Sequence, residues 1–298
     1  MRALAPPVRT LCSDFLSPLP WRRASNLRIF SSTSFSSSPS DVLNQARGGL
    51  PRFFSEDLPS RKGGFVRVRG SEFWHMCKVL RLKLDDRVEL FNGKGGLVEG
   101  CIQSIDKTGI DFIALEGQRV IPRQGMQWHV FAAFATLKGG RADWLIEKCT
   151  ELGASSVTPL LTERSSLISE NRVDRLERVS FAAAKQCQRL HQMVLNTPIK
   201  FNALLDHISQ AKLSLVATAE ATPLLNAINS SSEESSGLLI VGPEGDFTTK
   251  ELDMMLEAGG VAVGLGPHRL RVETATIALL ATLMLWSDSQ QGNQSLAL

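Results

Sequence analysis

From residue 51 to about 118 apolar and polar positions alternate over short runs punctuated by glycine, the period-two signature of half-buried strands. Phe65-Val66-Arg67-Val68-Arg69 alternates apolar with basic side chains. Residues 87–91 alternate and run into Asn92-Gly93, a pair that favours tight hairpins. Two further strands are predicted over residues 97–102 and 110–115. This stretch, residues 50–121, reads as a small antiparallel barrel, and Pro122 to Gly125 reads as a linker.

The period then changes. Residues 126–288 give strands alternating with amphipathic helices, which predicts an α/β domain around a mainly parallel sheet. Strands are expected at 128–134, 156–161, 213–219, 238–241 and 261–263. A helix is expected over 141–152, with Ala142, Leu145, Ile146, Cys149 and Leu152 on one face and Gly153 at its C-cap. A second spans 172–188, a third starts from the capping box Thr248-x-x-Glu251 and stops at Gly259-Gly260, and a last one covers 273–286. Residues 229–236 read as a polar surface loop. The longest apolar run, 277–286, is shorter than the roughly 20 residues of a membrane span, so no membrane partner is expected.

Composition changes the picture at one end only. The chain carries a net charge of +3, yet its first 40 residues hold five arginines against Asp14 alone, leaving the rest at −1. Bulk charge therefore gives no case for nucleic-acid binding, and any such case rests on local patches. Residues 1–46 are rich in Ser and Arg and include the low-complexity run at 31–38, the composition of an organellar transit peptide. Arg28-Ile29-Phe30 suits mitochondrial processing, while the serine and proline content leans toward a chloroplast address. The five cysteines are far apart and form no C-x-x-C pair, which argues against a disulfide framework or a zinc site; no metal is expected.

Chemistry-bearing residues gather where strands should end. Residues 241–247, Val-Gly-Pro-Glu-Gly-Asp-Phe, form a tight loop between a buried strand and a capped helix, where open α/β sheets bind ligands. Residues 264–275 place Arg269, Arg271 and Glu273 between a strand and an apolar helix. Gly264-x-Gly266 opens like a dinucleotide fingerprint, but the third glycine and the following acidic residue are missing, which argues against a nucleotide-dependent oxidoreductase. Thr162-Glu163-Arg164-Ser165 closes another strand, and Arg189 ends a helix.

Taken in order, these motifs resemble the RsmE family of SPOUT methyltransferases. They are Lys138-Gly139-Gly140-Arg141, Lys148-Cys149-Thr150-Glu151-Leu152-Gly153, Thr162-Glu163-Arg164-Ser165, Gln186-x-x-Arg189, Gly242-Pro243-Glu244-Gly245 and Leu265-Gly266-x-x-x-Leu270-Arg271-x-Glu273-Thr274-Ala275. Arg52-Phe53-Phe54 and His75-x-x-x-Val79-Leu80-Arg81 extend the resemblance forward, so that it covers residues 50–287. The resemblance implies an α/β, trefoil-knotted SPOUT methyltransferase domain preceded by a PUA-like β-barrel. It further implies S-adenosylmethionine as cofactor, methylation of uridine N3 in bacterial-type small-subunit ribosomal RNA, free or within the small ribosomal subunit, and a homodimer. A non-catalytic RNA-binding assembly factor on the same fold is the alternative.

By the same mapping the cofactor pocket includes Leu161, Gly242, Glu244, Gly245, Leu265, Gly266, Leu270 and Thr274. Arg189, Arg164 and Arg271 become candidates for stabilising a uracil anion or touching phosphate, and Glu273 or Glu244 for the base, with a structural Arg271–Glu273 ion pair as the rival reading. RNA contacts are expected from Arg52, Arg67, Arg69, His75 and Arg81 on the barrel, among Phe65, Phe73 and Trp74. Two motifs depart from the family pattern at three positions: Asp246 and Gln188 stand where it has glycine, and Lys185 where it has glutamate.

Overall fold

A computed structural model describes residues 49–295 except 135–136, 139, 166–167, 220 and 229–234. The expected transit peptide, Gly139 and most of the expected polar loop lie outside the described residues. The described residues belong to one compact unit.

The first part is built from β1 (Arg52–Phe54), β2 (Phe65–Val68), α1 (Gly70–Trp74), a π-helical turn at His75–Val79, β3 (Arg87–Phe91), β4 (Gly96–Ile105), β5 (Ile110–Ala114) and β6 (Arg119–Val120). Hydrogen bonding runs β1-β3-β4-β5-β2, with β6 on β4. All pairs are antiparallel except β1–β3, so the expectation of a purely antiparallel barrel is corrected. The alternation in β4 and β5 drives Val98, Ile102, Ile110, Phe112 and Ala114 into one core with Phe53, Val68, Met76, Val88 and Leu90. Gly100 of β4 lies over the Phe112 ring, where a Cβ would come within 2.3 Å of it.

The second part contains β7 (Gln127–Ala132), α2 (Arg141–Leu152), β8 (Ser156–Leu161), α3 (Glu170–Gln186), β9 (Val194–Leu195), β10 (Ile199–Lys200), α4 (Phe201–Gln210), β11 (Ser214–Ala217), α5 (Leu224–Ile228), β12 (Ser236–Val241), α6 (Thr249–Glu257), β13 (Val261–Val263) and α7 (Val272–Ser295). The sheet is parallel in every pairing, in the order β10-β8-β7-β12-β11-β13, with β9 on β8. Both faces are covered, as parallel sheets require. Trp128, Val130 and Ala132 of β7 pack with α2 and α7 side chains such as Leu145 and Leu279. Phe131 and Ala133 point to the other face, against Leu204 and Ile208 of α4 and Met255 of α6. The buried Trp128 indole donates to Ser287 Oγ at 3.0 Å, tying the first strand of the sheet to the last helix.

The capping box of α6 forms as read: Thr248 Oγ1 accepts from Glu251 N, and Glu251 Oε2 accepts from Thr248 N at 2.9 Å. Gly153 caps α2 with φ 98°. The helix expected at 172–188 starts two residues earlier and stops at Gln186, because Gln188 turns into the left-handed region with φ 56°. The sequence reading passed over α1, α4 and the short strands β1, β9 and β10 as elements. α1 and the strands are short and take their order from tertiary contacts, whereas α4 carries a helical period of its own, with Leu204 and Ile208 buried four residues apart.

Candidate functional site

In the strand order, β11 sits between β12 and β13. Their carboxyl ends deliver residues 217–219, 242–244, 246, 265–266 and 268–270 to a single pocket with about 620 Å³ of space, open solvent at its mouth included. The location is where open α/β sheets bind ligands. Of the expected pocket residues, Gly242, Glu244, Leu265, Gly266 and Leu270 line it. Val241, Val263, Val272, Ala275 and Leu279 add apolar wall.

Three expected residues fall elsewhere. Leu161 ends β8, two strands removed from β12 with β7 between, and pairs with Lys200 instead. Gly245 turns its back to the cavity: a Cβ there would meet Arg164 Cδ at 3.3 Å. Thr274 is exposed on α7 outside the lining, which takes Val272 and Ala275 instead. Residues 217–219, Ala-Thr-Ala, carry no glycine or charge to single them out, and only the strand order brings them in.

Two carboxylates meet at the pocket edge through an arginine the sequence reading gave no role. Arg141, in the first turn of α2, donates from Nη1 to Glu244 Oε1 at 2.7 Å and to Glu273 Oε1 at 3.4 Å. The Glu244 carboxylate beside it raises the Arg141 pKa above its ordinary value. Glu273 is 7% exposed in the first turn of α7, between the lining residues Val272 and Ala275. Its Oε2 is buried with no hydrogen-bond partner among the described residues. An unsatisfied buried carboxylate oxygen costs about 1–3 kcal/mol or more, so this atom calls for an incoming donor. Glu273 pairs with Arg141 rather than Arg271, so the expected Arg271–Glu273 ion pair is not formed. Arg271 is exposed in the same loop. Arg269 ties that loop to its neighbour, donating from Nη2 to Glu244 O at 2.6 Å.

Arg164 and Arg189, expected to contact substrate, are engaged within the protein. Arg164 Nη1 donates to Gly245 O at 2.6 Å and braces the glycine loop from outside the pocket. Arg189 donates from Nε and Nη2 to Glu151 O at 3.1 and 2.9 Å, satisfying a carbonyl at the end of α2. Burial pulls its pKa below the ordinary arginine value. Both corrections share a cause: isolated arginines in a sequence show their charge and hide the backbone carbonyls that absorb it.

The barrel residues divide in the same way. Arg52 is buried and bound to Glu89 at 2.7 Å, so it is a core ion pair rather than an RNA contact. Arg67 is held by Asp111 at 2.6 Å and by Asp106, which removes its charge from the surface inventory. Arg69, His75 and Arg81 remain exposed, beside Trp74 at 60% exposure. Cys149 is fully buried and its thiol is pushed up to about 12, which excludes it as a nucleophile at neutral pH.

The family model described as the RNA methyltransferase domain matches residues 124–284, and the RNA methyltransferase PUA domain matches 68–115. The chain belongs to the RNA methyltransferase domain family. Among curated relatives it is 28% identical over 238 residues to "Ribosomal RNA small subunit methyltransferase E" of Bacillus subtilis, covering 76% of this chain and 92% of that protein. A crystal structure of the Neisseria gonorrhoeae protein of that name, bound to S-adenosyl methionine, superposes with TM-score 0.66 at 24% identity, covering 80% of this chain and 98% of the other. A probable rRNA-methyltransferase from Porphyromonas gingivalis superposes with TM-score 0.66 at 25% identity, covering 80% and 99%. As a member of this RNA methyltransferase family the chain pairs the two domains expected, a PUA domain and an α/β methyltransferase domain with a parallel sheet.

Proposed function

We propose that this protein transfers a methyl group from S-adenosylmethionine to N3 of a uridine in bacterial-type small-subunit ribosomal RNA. The observation that carries this reading is the pocket formed by three strand-end loops, with two carboxylates held at its edge by Arg141. The names of the relatives support the substrate class. The pocket fits the cofactor: apolar side chains at Leu265, Leu270 and Leu279 offer flat walls for an adenine, and the glycine loops offer backbone groups for its ring and ribose. Glu244 stands half-exposed among them to meet hydroxyls or positive charge. S-adenosylmethionine supplies the electrophilic methyl group.

Uridine N3 carries a proton and is a poor nucleophile until that proton leaves. We assign the base to Glu273 rather than to Glu244, the alternative that lines the pocket: Glu273 Oε2 has no donor among the described residues, and the role requires this buried oxygen to be uncovered when the uridine enters. Arg141 fixes the carboxylate by its other oxygen, so the accepting atom keeps one orientation. Arg271, exposed in the same loop, is available to the charge developing on the uracil ring. We extend the reading to a homodimer in an organelle, chloroplast or mitochondrion. Leu285, 72% exposed on the apolar α7, supports association of two copies, and the Arg- and Ser-rich first 46 residues support the address.

The test is a reconstituted reaction. Purified protein, S-adenosylmethionine and bacterial small subunits lacking the modification are incubated, and the RNA is scanned by reverse transcription, which N3-methyluridine arrests. One new stop is expected with the native protein. Glu273→Gln should slow its appearance by roughly 100-fold or more while cofactor affinity, read by calorimetry, stays within a few-fold. Absence of a stop on both free RNA and assembled subunits would refute the uridine assignment.

A further inference from the structure

A second groove lies where the barrel meets α3, away from the glycine loops, with about 1330 Å³ of space counted to its mouth. Its rim carries Lys94 from the β3–β4 turn, Arg123 from the linker, and Arg178, Glu177 and Phe181 from α3. Three cations thus face one carboxylate, in a chain whose net charge outside its first 40 residues is −1. The concentration is local and presents a surface for a polyanion.

The site is rigid on both sides. The turn that bears Lys94 is stitched to the α/β part: Gly95 N donates to Leu190 O at 2.8 Å, Gln192 N donates to Gly93 O at 2.8 Å, and Lys94 forms an antiparallel bridge with His191. The His191 ring bonds Ile121 O through Nε2 at 2.9 Å, and burial lowers its pKa, so it serves as a post rather than as a charge. Arg123 is anchored by Nη2 to Gln192 O at 3.3 Å and by Nη1 to Gln127 Oε1 at 3.5 Å, which holds its exposed guanidinium at the groove. Phe181 is 38% exposed and stands edge-on against Phe54 at 4.9 Å. Lys185 holds this contact from above: its Nζ lies 5.5 Å from both ring centres and 2.7 Å from Glu72 of α1. The groove therefore presents a pre-positioned aromatic ring among fixed cations, the combination that binds unpaired nucleotides by stacking and phosphate contact.

We propose that this groove holds a single-stranded stretch of the RNA substrate, a base stacking on Phe181 and the phosphates on Lys94, Arg123 and Arg178. The inference rests on the RNA methyltransferase reading and adds where the RNA outside the target nucleotide lies.

The test uses the full chain and fluorescence anisotropy, with a labelled single-stranded RNA and a duplex of equal length, over a salt series. Replacing Lys94, Arg123 and Arg178 together by Gln should make the slope of log association constant against log salt shallower by about 2. Phe181→Ala should weaken single-strand binding by roughly 5- to 150-fold and leave the duplex little changed, while Phe181→Trp should hold the native affinity. Should Phe181→Ala fail to fold by its thermal transition, the three charge changes, all on exposed side chains, carry the test. Unchanged affinity and slope in the triple variant, with S-adenosylmethionine still bound, would overturn the groove and favour a protein occupant. Should the native protein neither bind S-adenosylmethionine nor methylate RNA while the triple variant still loses RNA affinity, the groove stands and the methyltransferase reading fails.

Discussion

Replacing Gln188 by glycine is expected to stabilise the protein, although it removes a half-buried side chain. Gln188 has φ 56°, in the left-handed region, one residue before Arg189. A residue with a Cβ costs roughly 1–2 kcal/mol there. Glycine removes that strain and adds about 0.4–1 kcal/mol of unfolded-state entropy. The difference favours glycine by about 0.5–1 kcal/mol, or a rise of roughly 1–4 °C in the unfolding midpoint for a unit of this size. The same arithmetic accounts for glycine in the family pattern rather than for the departure from it, because both residues that replace it, Gln188 and Asp246, have positive φ. Asp246, at φ 64°, partly compensates by accepting Phe247 N–H through Oδ1 at 2.9 Å, so Asp246→Gly should gain less than Gln188→Gly. It does not act as a helix cap, since Thr248 holds that place. The assay is urea unfolding followed by circular dichroism on the native protein, Gln188→Gly and Gln188→Ala. Alanine keeps the Cβ and so the strain, and should give no comparable gain. Equal midpoints for the glycine and alanine variants, or a loss with glycine, would refute the strain argument.

Two further outcomes follow from close packing and from titration. Gly153→Ala should destabilise by about 2–4 kcal/mol, because a Cβ there would fall 2.2 Å from Arg189 Nη1 and the position has φ 98°, adding backbone strain to overpacking; calorimetry reads the loss, and a variant within 0.5 kcal/mol of native would contradict the geometry. Asp106 is held well below the ordinary carboxylate range by the Thr108 backbone N–H and then by Arg67, and Asp111 is lowered by the Ser104 hydroxyl and then by Arg67. Groups with depressed folded pKa values stabilise above the unfolded value and lose that contribution as pH falls through the folded one. The barrel should therefore weaken below about pH 4, and Arg67→Ala should flatten this acid loss in unfolding midpoints measured from pH 6 to pH 2.

Much of the architecture was legible because it is written in local periods. The change from period two to alternating strands and helices near residue 126 separates barrel from α/β part, and Gly153 and the Thr248–Glu251 box mark helix ends where the structure has them. Strand order is not local, and the errors in the site come from it. The motif after β8 shares a strand end and charged residues with the pocket loops, but β7 separates β8 from β12, so Leu161 misses the pocket and the unremarkable residues 217–219 enter it. A knot is a property of the whole chain path, so neither periodicity nor motif spacing encodes it, and that expectation rests on family resemblance.

Charge is hidden in a related way. Arg52, Arg67 and Arg87 look like an RNA face in an alternating strand, yet each meets a carboxylate on a paired strand or its flanking turn: Glu89, Asp111 with Asp106, and Glu99. Those partners lie 12 to 44 residues away in sequence and become neighbours only through sheet register. Arg87, Glu89 and Glu99 illustrate the rule within one ladder, where Glu89 pairs directly with Glu99 in register and each like charge is balanced by an arginine, Arg52 for one and Arg87 for the other. A cation count along a strand therefore overstates what remains for RNA. Exposed cations on turns and helix faces include Arg69 and Arg81 on the barrel and Lys94, Arg123 and Arg178 around the groove, where sheet register sets no carboxylate opposite them.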